Sequence, residues 1–224
     1  MLFAAIILTL SSQVLARADT VNFDFESQPA TFTSPPQGTR PGALTSLTMS
    51  MSGLTVTITR PGSQFDIVDN SGNQSGKPAS YGSRSLDPFF DSNSNTPFIA
   101  NFSQSVTSVS IDMGDYGGDI DNLVLEAYSG ANGTGTLLAS ATAVLTPGGG
   151  FDTMTLSVTA PGIMSLRFVG GSPSFPNSVF YDNLNVTFTP QASVPEPATM
   201  VLLGTGLAGL CGVVRRRRNK NREG

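Results

Sequence analysis

The residues of this chain best able to do chemistry are carboxylates, and they fall into two groups. Asp112, Asp115, Asp119 and Asp121 crowd into the stretch DMGDYGGDID, around Gly117 and Gly118. Asp24 and Glu26 stand near the start of the chain, and Asp182 stands near the end of its polar body. Like charges held this close repel unless a cation sits among them. Hard carboxylate oxygens suit Ca2+, whose shell backbone carbonyls and water can complete. The Asp112–Asp121 run departs from an EF-hand, because Leu123 occupies the twelfth position from Asp112, where a bidentate glutamate belongs. A solvated acidic turn is therefore its plainer reading. Structural Ca2+ is the functional reading of both groups, and no other cofactor is expected.

Catalysis finds little support. The chain has no histidine, so neither a Ser-His-Asp nor a Cys-His arrangement can form. Paired acids could hydrolyse glycosides, but acids in strands and turns are too common to single out a pair. No catalytic residue is assigned, and the protein is not expected to be an enzyme. Tyr81, Arg84, Phe89 and Phe90 could form an aromatic and polar sugar site, or could clip a long loop onto the body. The second reading is favoured.

Charged residues make up 12% of the 224, about half the usual share. From Asp19 to Pro197 there are five basic and fifteen acidic residues, a balance of −10. An acidic body argues against nucleic acid as a partner. The single cysteine, Cys211, excludes an intramolecular disulfide, and the lack of tryptophan removes the strongest sugar-stacking platform.

These side chains must be positioned by strands. Period-2 segments bounded by Gly, Pro, Asn and Asp dominate the body. They begin at Val21, Leu54, Gln64, Pro97, Val106, Asn122, Gly135, Phe151, Met164 and Val179. In the last of them Phe180, Asp182, Leu184, Val186 and Phe188 are expected on one face. Residues 129–135 read as a hairpin loop turning on Asn132 and Gly133. Gln28–Pro41 and Asn70–Asn95 read as long surface loops. The expected class is all-β: a two-layer antiparallel β-sandwich, jelly-roll-like, over residues 19–189. First and last strands often lie close in such folds, which is why Asp24 and Glu26 are grouped with Asp182.

The two ends read as addresses. Residues 1–18 have an apolar core followed by Ala16-Arg17-Ala18, the pattern of a signal peptide cleaved after Ala18, with Ala16 the near alternative. Residues 190–193 are a linker. Residues 198–214 carry no charge, and seventeen helical residues span roughly 26 Å, enough for a short transmembrane helix. Arg215, Arg216, Arg217 and Arg218 open a basic tail, 215–224, that holds the C-terminus in the cytoplasm. Pro195 and Pro197 keep the segment before the helix extended.

Val194-Pro195-Glu196-Pro197, the apolar run and the arginines stand in the order of a PEP-CTERM sorting signal, which residues 194–224 resemble. That resemblance implies a Gram-negative bacterium that makes extracellular polysaccharide. It also implies an exosortase that recognises the tail and cuts near the motif, with this chain as substrate. The ends of the body, FDFE and YDNLNVTF, more faintly resemble the edges of carbohydrate-binding jelly rolls. The expected protein is exported, held at the inner membrane through its C-terminal helix, then moved to the cell surface or released. Its expected role is structural or adhesive, in the extracellular matrix. The alternative is a carbohydrate-binding module that docks to extracellular polysaccharide.

Overall fold

The computed structural model of the protein describes residues 17–33, 44–69, 77–88, 94–190 and 204–206. The signal segment lies outside them up to Ala16, as does the sorting tail apart from Gly204–Gly206, which is helical and exposed. Among the described residues no helix is long and apolar enough to cross a membrane. Nearly all of them belong to one unit, Arg17–Pro190.

That unit is all-β and mostly antiparallel, as expected. Its strands are β1 (Asp19–Phe23), β2 (Phe32–Thr33), β3 (Ser46–Met51), β4 (Leu54–Thr59), β5 (Asp66–Asp69) and β6 (Arg84–Asp87). They continue as β7 (Phe98–Asp115), β8 (Asp121–Tyr128), β9 (Leu137–Leu145), β10 (Asp152–Gly171) and β11 (Phe180–Phe188). Local sequence explains the clearest of them. In β4, Leu54, Val56 and Ile58 are buried while the threonines between them are half-exposed. In β8, Asp121, Leu123, Leu125 and Ala127 form the buried row. Asn132 and Gly133 take positive φ in the loop between β8 and β9, as expected of that pair.

Two long strands carry the architecture. β7 and β10 pair antiparallel from Asp115↔Asp152 to Phe98↔Phe168. The register shifts where Ala160, Pro161 and Gly162 lie between the pairs of Thr159 and Ile163 on one strand, and 102–105 go unmatched on the other. Beyond β10, residues 165–171 pair with β8, which pairs with β9. On its far edge β7 meets β4 along Ile99–Phe102 and β11 along Val106–Gly114. β11 in turn takes β1 along Leu184–Phe188 and β6 at Tyr181. First and last strands are therefore neighbours, Asp19 opposite Phe188.

Four readings need correction. The expected pairs of strands beginning at Pro97 and Val106, and at Phe151 and Met164, are single strands. Pro161 lacks an N–H and Gly162 has positive φ, yet the bulge absorbs both without ending the ladder. The two long loops contain structure: β2 in the first, and a 3-10 turn (Ala79–Tyr81) followed by β6 in the second. β3 was not expected, and β2 pairs with β5 in parallel. Asn183, at φ 48, inserts a bulge into β11, so that Asp182 faces Asp112 but Asn185 faces Ser110. The inserted residue reverses the alternation. Leu184, Val186 and Phe188 join the main core together with Tyr181, while Phe180 turns to a second cluster with Val68, Tyr81 and Phe151.

The main core draws on every strand except β2. At its centre Phe98 touches Phe65, Phe168 and Tyr181, each at 5.3 Å between ring centroids. The Arg60 guanidinium lies 5.7 Å over the same ring. Phe98→Ala should therefore lower unfolding stability in urea by about 3–5 kcal/mol. Met154→Ala, at a site 36% exposed, should change it by less than about 0.5 kcal/mol.

Candidate functional site

The structure regroups the predicted carboxylates. Along β7, Ile111 and Met113 face the core, so Asp112 points to the opposite side from them. There it meets the group built from the chain ends. Asp24, Glu26, Asp112 and Asp182 surround a neighbourhood that also contains Lys77 and Tyr81.

Glu26 is held by protein donors. Its carboxylate accepts hydrogen bonds from the backbone N–H groups of Ser83 and Arg84 and from the Ser83 hydroxyl, each at 2.7 Å. Burial pushes its carboxyl up, but these bonds and the Arg84 charge outweigh burial and leave it below the ordinary value. Arg84 returns the contact by donating to the carbonyls of Glu26 and Gln28. Asp24 accepts from the Glu26 N–H at 3.2 Å. The Asn183 amide donates to Asp112 at 2.9 Å and to the Ser80 carbonyl at 2.7 Å, which ties the bulge to the 3-10 turn.

Asp182 is 1% exposed. Its Oδ1 accepts from the Asn183 N–H at 2.6 Å, and its Oδ2 has no partner. Burial, reinforced by the charges of Glu26, Asp112 and Asp24, pushes its carboxyl up to about 9. Burial also lowers Lys77, against the pull of Asp182, Glu26 and Asp69, and its ammonium makes no hydrogen bond. The group thus contains its own cation and spends Glu26 on loop clamping.

The second group is arranged differently. Asp115 ends β7, Asp119 lies in the connection and Asp121 opens β8. One carboxylate oxygen from each lies within 4.8 Å of the others, which makes this the one set of three possible metal ligands so arranged among the described residues. Asp115 is half-buried, Asp119 exposed and Asp121 1% exposed. The Gly117 N–H donates to Asp115 Oδ2 at 2.7 Å. A Cβ at Gly117 would run into the carboxylates of Asp115 and Asp119, so any side chain there would push the two acids out of their present positions. Burial and the Asp115 and Asp119 charges push Asp121 up to about 7. Burial likewise raises Asp115, with Asp119 and Asp152 adding to the effect.

The residues considered for a sugar site do internal work. Tyr81 is 1% exposed and packs edge-on against Phe151 at 4.9 Å. Arg84 holds the turn after β1. Phe89 and Phe90 lie outside the described residues, as do the sorting-signal residues Val194, Pro195, Glu196, Pro197 and Arg215–Arg218 and the cleavage residue Ala16, whereas Ala18 is described and exposed. Sequence reasoning passed over Lys77, Asn183 and Arg60. Arg60 is 1% exposed and donates to the carbonyls of Gln64, Pro88, Ser94 and Thr96. The available signal was scarcity, since Arg60 and Lys77 are two of only five cations in the body.

Comparison with known proteins adds one specific finding. The family model described as the PEP-CTERM protein-sorting motif matches residues 193–218, so the chain carries that motif. No curated protein matches. Among solved structures the chain is similar to the K2 cleaved adhesin domain of Lys-gingipain, with 14% identity and a TM-score of 0.45 over 75% of this chain and 98% of that one. It is also similar to a carbohydrate-binding module of family 29, with 15% identity and a TM-score of 0.27 over 82% of this chain and 97% of that one. Likeness at these levels transfers no ligand and no role.

Asp182 gives a pH test. A folded value near 9, above the ordinary carboxyl value of about 3.9, means that the native state keeps a proton the unfolded chain loses. Its contribution is complete below the unfolded value and is lost as pH rises through the folded one. Asp182→Asn should therefore gain melting temperature over the parent as pH rises from about 4 to about 9. A variant that instead loses stability at alkaline pH would mean that Asp182 is ionised opposite Lys77.

Proposed function

We propose that this protein is exported and sorted to the bacterial envelope, where its β-unit serves as a structural or adhesive part of the extracellular matrix. The tail is the substrate of an exosortase. The observation that carries this reading is the sorting motif at 193–218, which lies beyond a unit whose last strand closes at Phe188. The other end agrees. Cleavage after Ala18 leaves Asp19 as the first residue, and Asp19 is the first residue of β1, paired with Phe188. Cleavage there would leave the whole of β1 in the mature chain.

The chemistry of the tail fits a transient hold. Pro195 and Pro197 favour an extended backbone, the form a protease cleft accepts. The four arginines keep the C-terminus inside until the cut. A jelly-roll-like sandwich with few charges and Ser- and Thr-rich strands suits a matrix component. Among the described residues Phe175 is the large aromatic most open to solvent, at 45%, so no row of aromatic rings favours the carbohydrate-binding alternative. We assign the protein no catalytic role.

Glu196→Ala should block maturation, so that the full-length form accumulates in the membrane fraction of the producing cell. An immunoblot of membrane and surface fractions reads the outcome. Unchanged processing of the variant would refute the exosortase assignment.

A further inference from the structure

We propose that Asp115, Asp119 and Asp121 form a Ca2+ site that staples the connection between β7 and β8. Three carboxylates alone would be an ordinary acidic turn. The observation that points to a ligand is Asp121. It continues the inward row of Leu123, Leu125 and Ala127, so the strand carries its side chain into the edge of the core, where it is 1% exposed. Its Oδ1 has no hydrogen-bond partner, and its carboxylate is directed at those of Asp115 and Asp119. A buried carboxylate without a donor is costly, and the surrounding charges that act on it, Asp115 and Asp119, are of the same sign.

The other acidic group shows how this protein satisfies buried acids elsewhere. Glu26 receives three hydrogen bonds, and Asp182 accepts the Asn183 N–H within electrostatic reach of Lys77. Among the described residues the charges acting on Asp121 are those of Asp115 and Asp119 alone, and a cation from solution would supply the missing positive charge.

The donor set selects the ion. All three ligands are hard oxygens, with no sulfur or imidazole. Their converging oxygens are separated by no more than 4.8 Å, twice a Ca–O bond of about 2.4 Å. Three carboxylates leave places for backbone carbonyls and water, which Ca2+ accepts with irregular geometry and Mg2+ does not. Exposed Asp119 gives the ion its entry. Because Asp115 pairs with Asp152 and Asp121 with Leu145, a cation here ties together the ends of β7, β8, β9 and β10. On the reading that the protein is exported, the site fills in the calcium-rich exterior and tightens this end of the sheet only after export. Binding itself does not depend on that reading.

The test uses the full chain in detergent micelles, stripped with EGTA and titrated with CaCl2 in a calorimeter and in thermal melts. The expected result is one Ca2+ per chain, a melting temperature that climbs with CaCl2 but not with NaCl of equal ionic strength, and Mg2+ binding at least about tenfold weaker. Asp119→Asn, at an exposed position, should keep the fold and weaken Ca2+ binding by about tenfold or more. Asp121→Asn should abolish binding and melt higher than the metal-free parent. Tb3+ in place of Ca2+ should give tyrosine-sensitised emission, with Tyr116 in the loop and no tryptophan in the chain. The proposal is overturned by an absence of binding and of stabilisation up to about 10 mM Ca2+, well above the range of extracellular modules. It is equally overturned if Asp119→Asn and Asp121→Asn bind as the parent does, or if Asp182→Asn alone removes binding. Failure of the Glu196→Ala experiment would leave the calcium result standing, and the reverse holds too.

Discussion

The ladder between β7 and β10 is the constraint on which the remainder of the unit depends. These are the two longest strands, and each lends its edges to different neighbours along its length. β4, β8 and β11 all attach to them, and β1, β3, β6 and β9 attach to those. A strand can serve two parts of a sheet only if it bends, and a bend needs local slack. The unmatched residues at 102–105 and around Pro161 supply it on both partners at the same level. Tyr181 of β11 can then reach Phe98 and Phe168, and one core results.

The same ladder fixes where the acids go. Ile111 and Met113 must face inward, which sends Asp112 outward to the chain-end group and leaves Asp115 at the strand tip with the loop acids. The two groups then meet the cost of burial in different ways. Around Asp182, a lysine, an asparagine bulge and backbone donors from the loop before β6 do the work. Around Asp121, the described residues supply more carboxylates and a tight glycine turn. That difference, not the count of acids, is the ground on which the cation is proposed at Asp121 and not at Asp182.

Much of this was legible in the residues. The alternation in β4 and β8 marks both strands, and the pairing of first and last strands follows from the expected class. The spacing of three between Asp112 and Asp115 already implied opposite faces of a strand, although the two look like neighbours in the chain. Other features were not legible. Ser46–Met51 buries only Met49, so an edge strand showed no alternation. Pro161-Gly162 reads locally as a stop, and only the partner strand reveals it as a bulge. Asn183 looks like any other polar strand residue, yet its bulge exchanges Tyr181 for Phe180 in the core. Lys77 lies 105 positions before Asp182, a separation that only the closed fold can bring together.

The tail and the β-unit meet in one claim: the resident form of this protein is the sheet without its addresses. The most direct measurement is the intact mass of the protein recovered from the surface of the producing cell. The expected mass corresponds to a chain that begins at Asp19 and ends near Pro195. A surface protein that still carried Met1, or that still carried Arg215–Arg218, would contradict it.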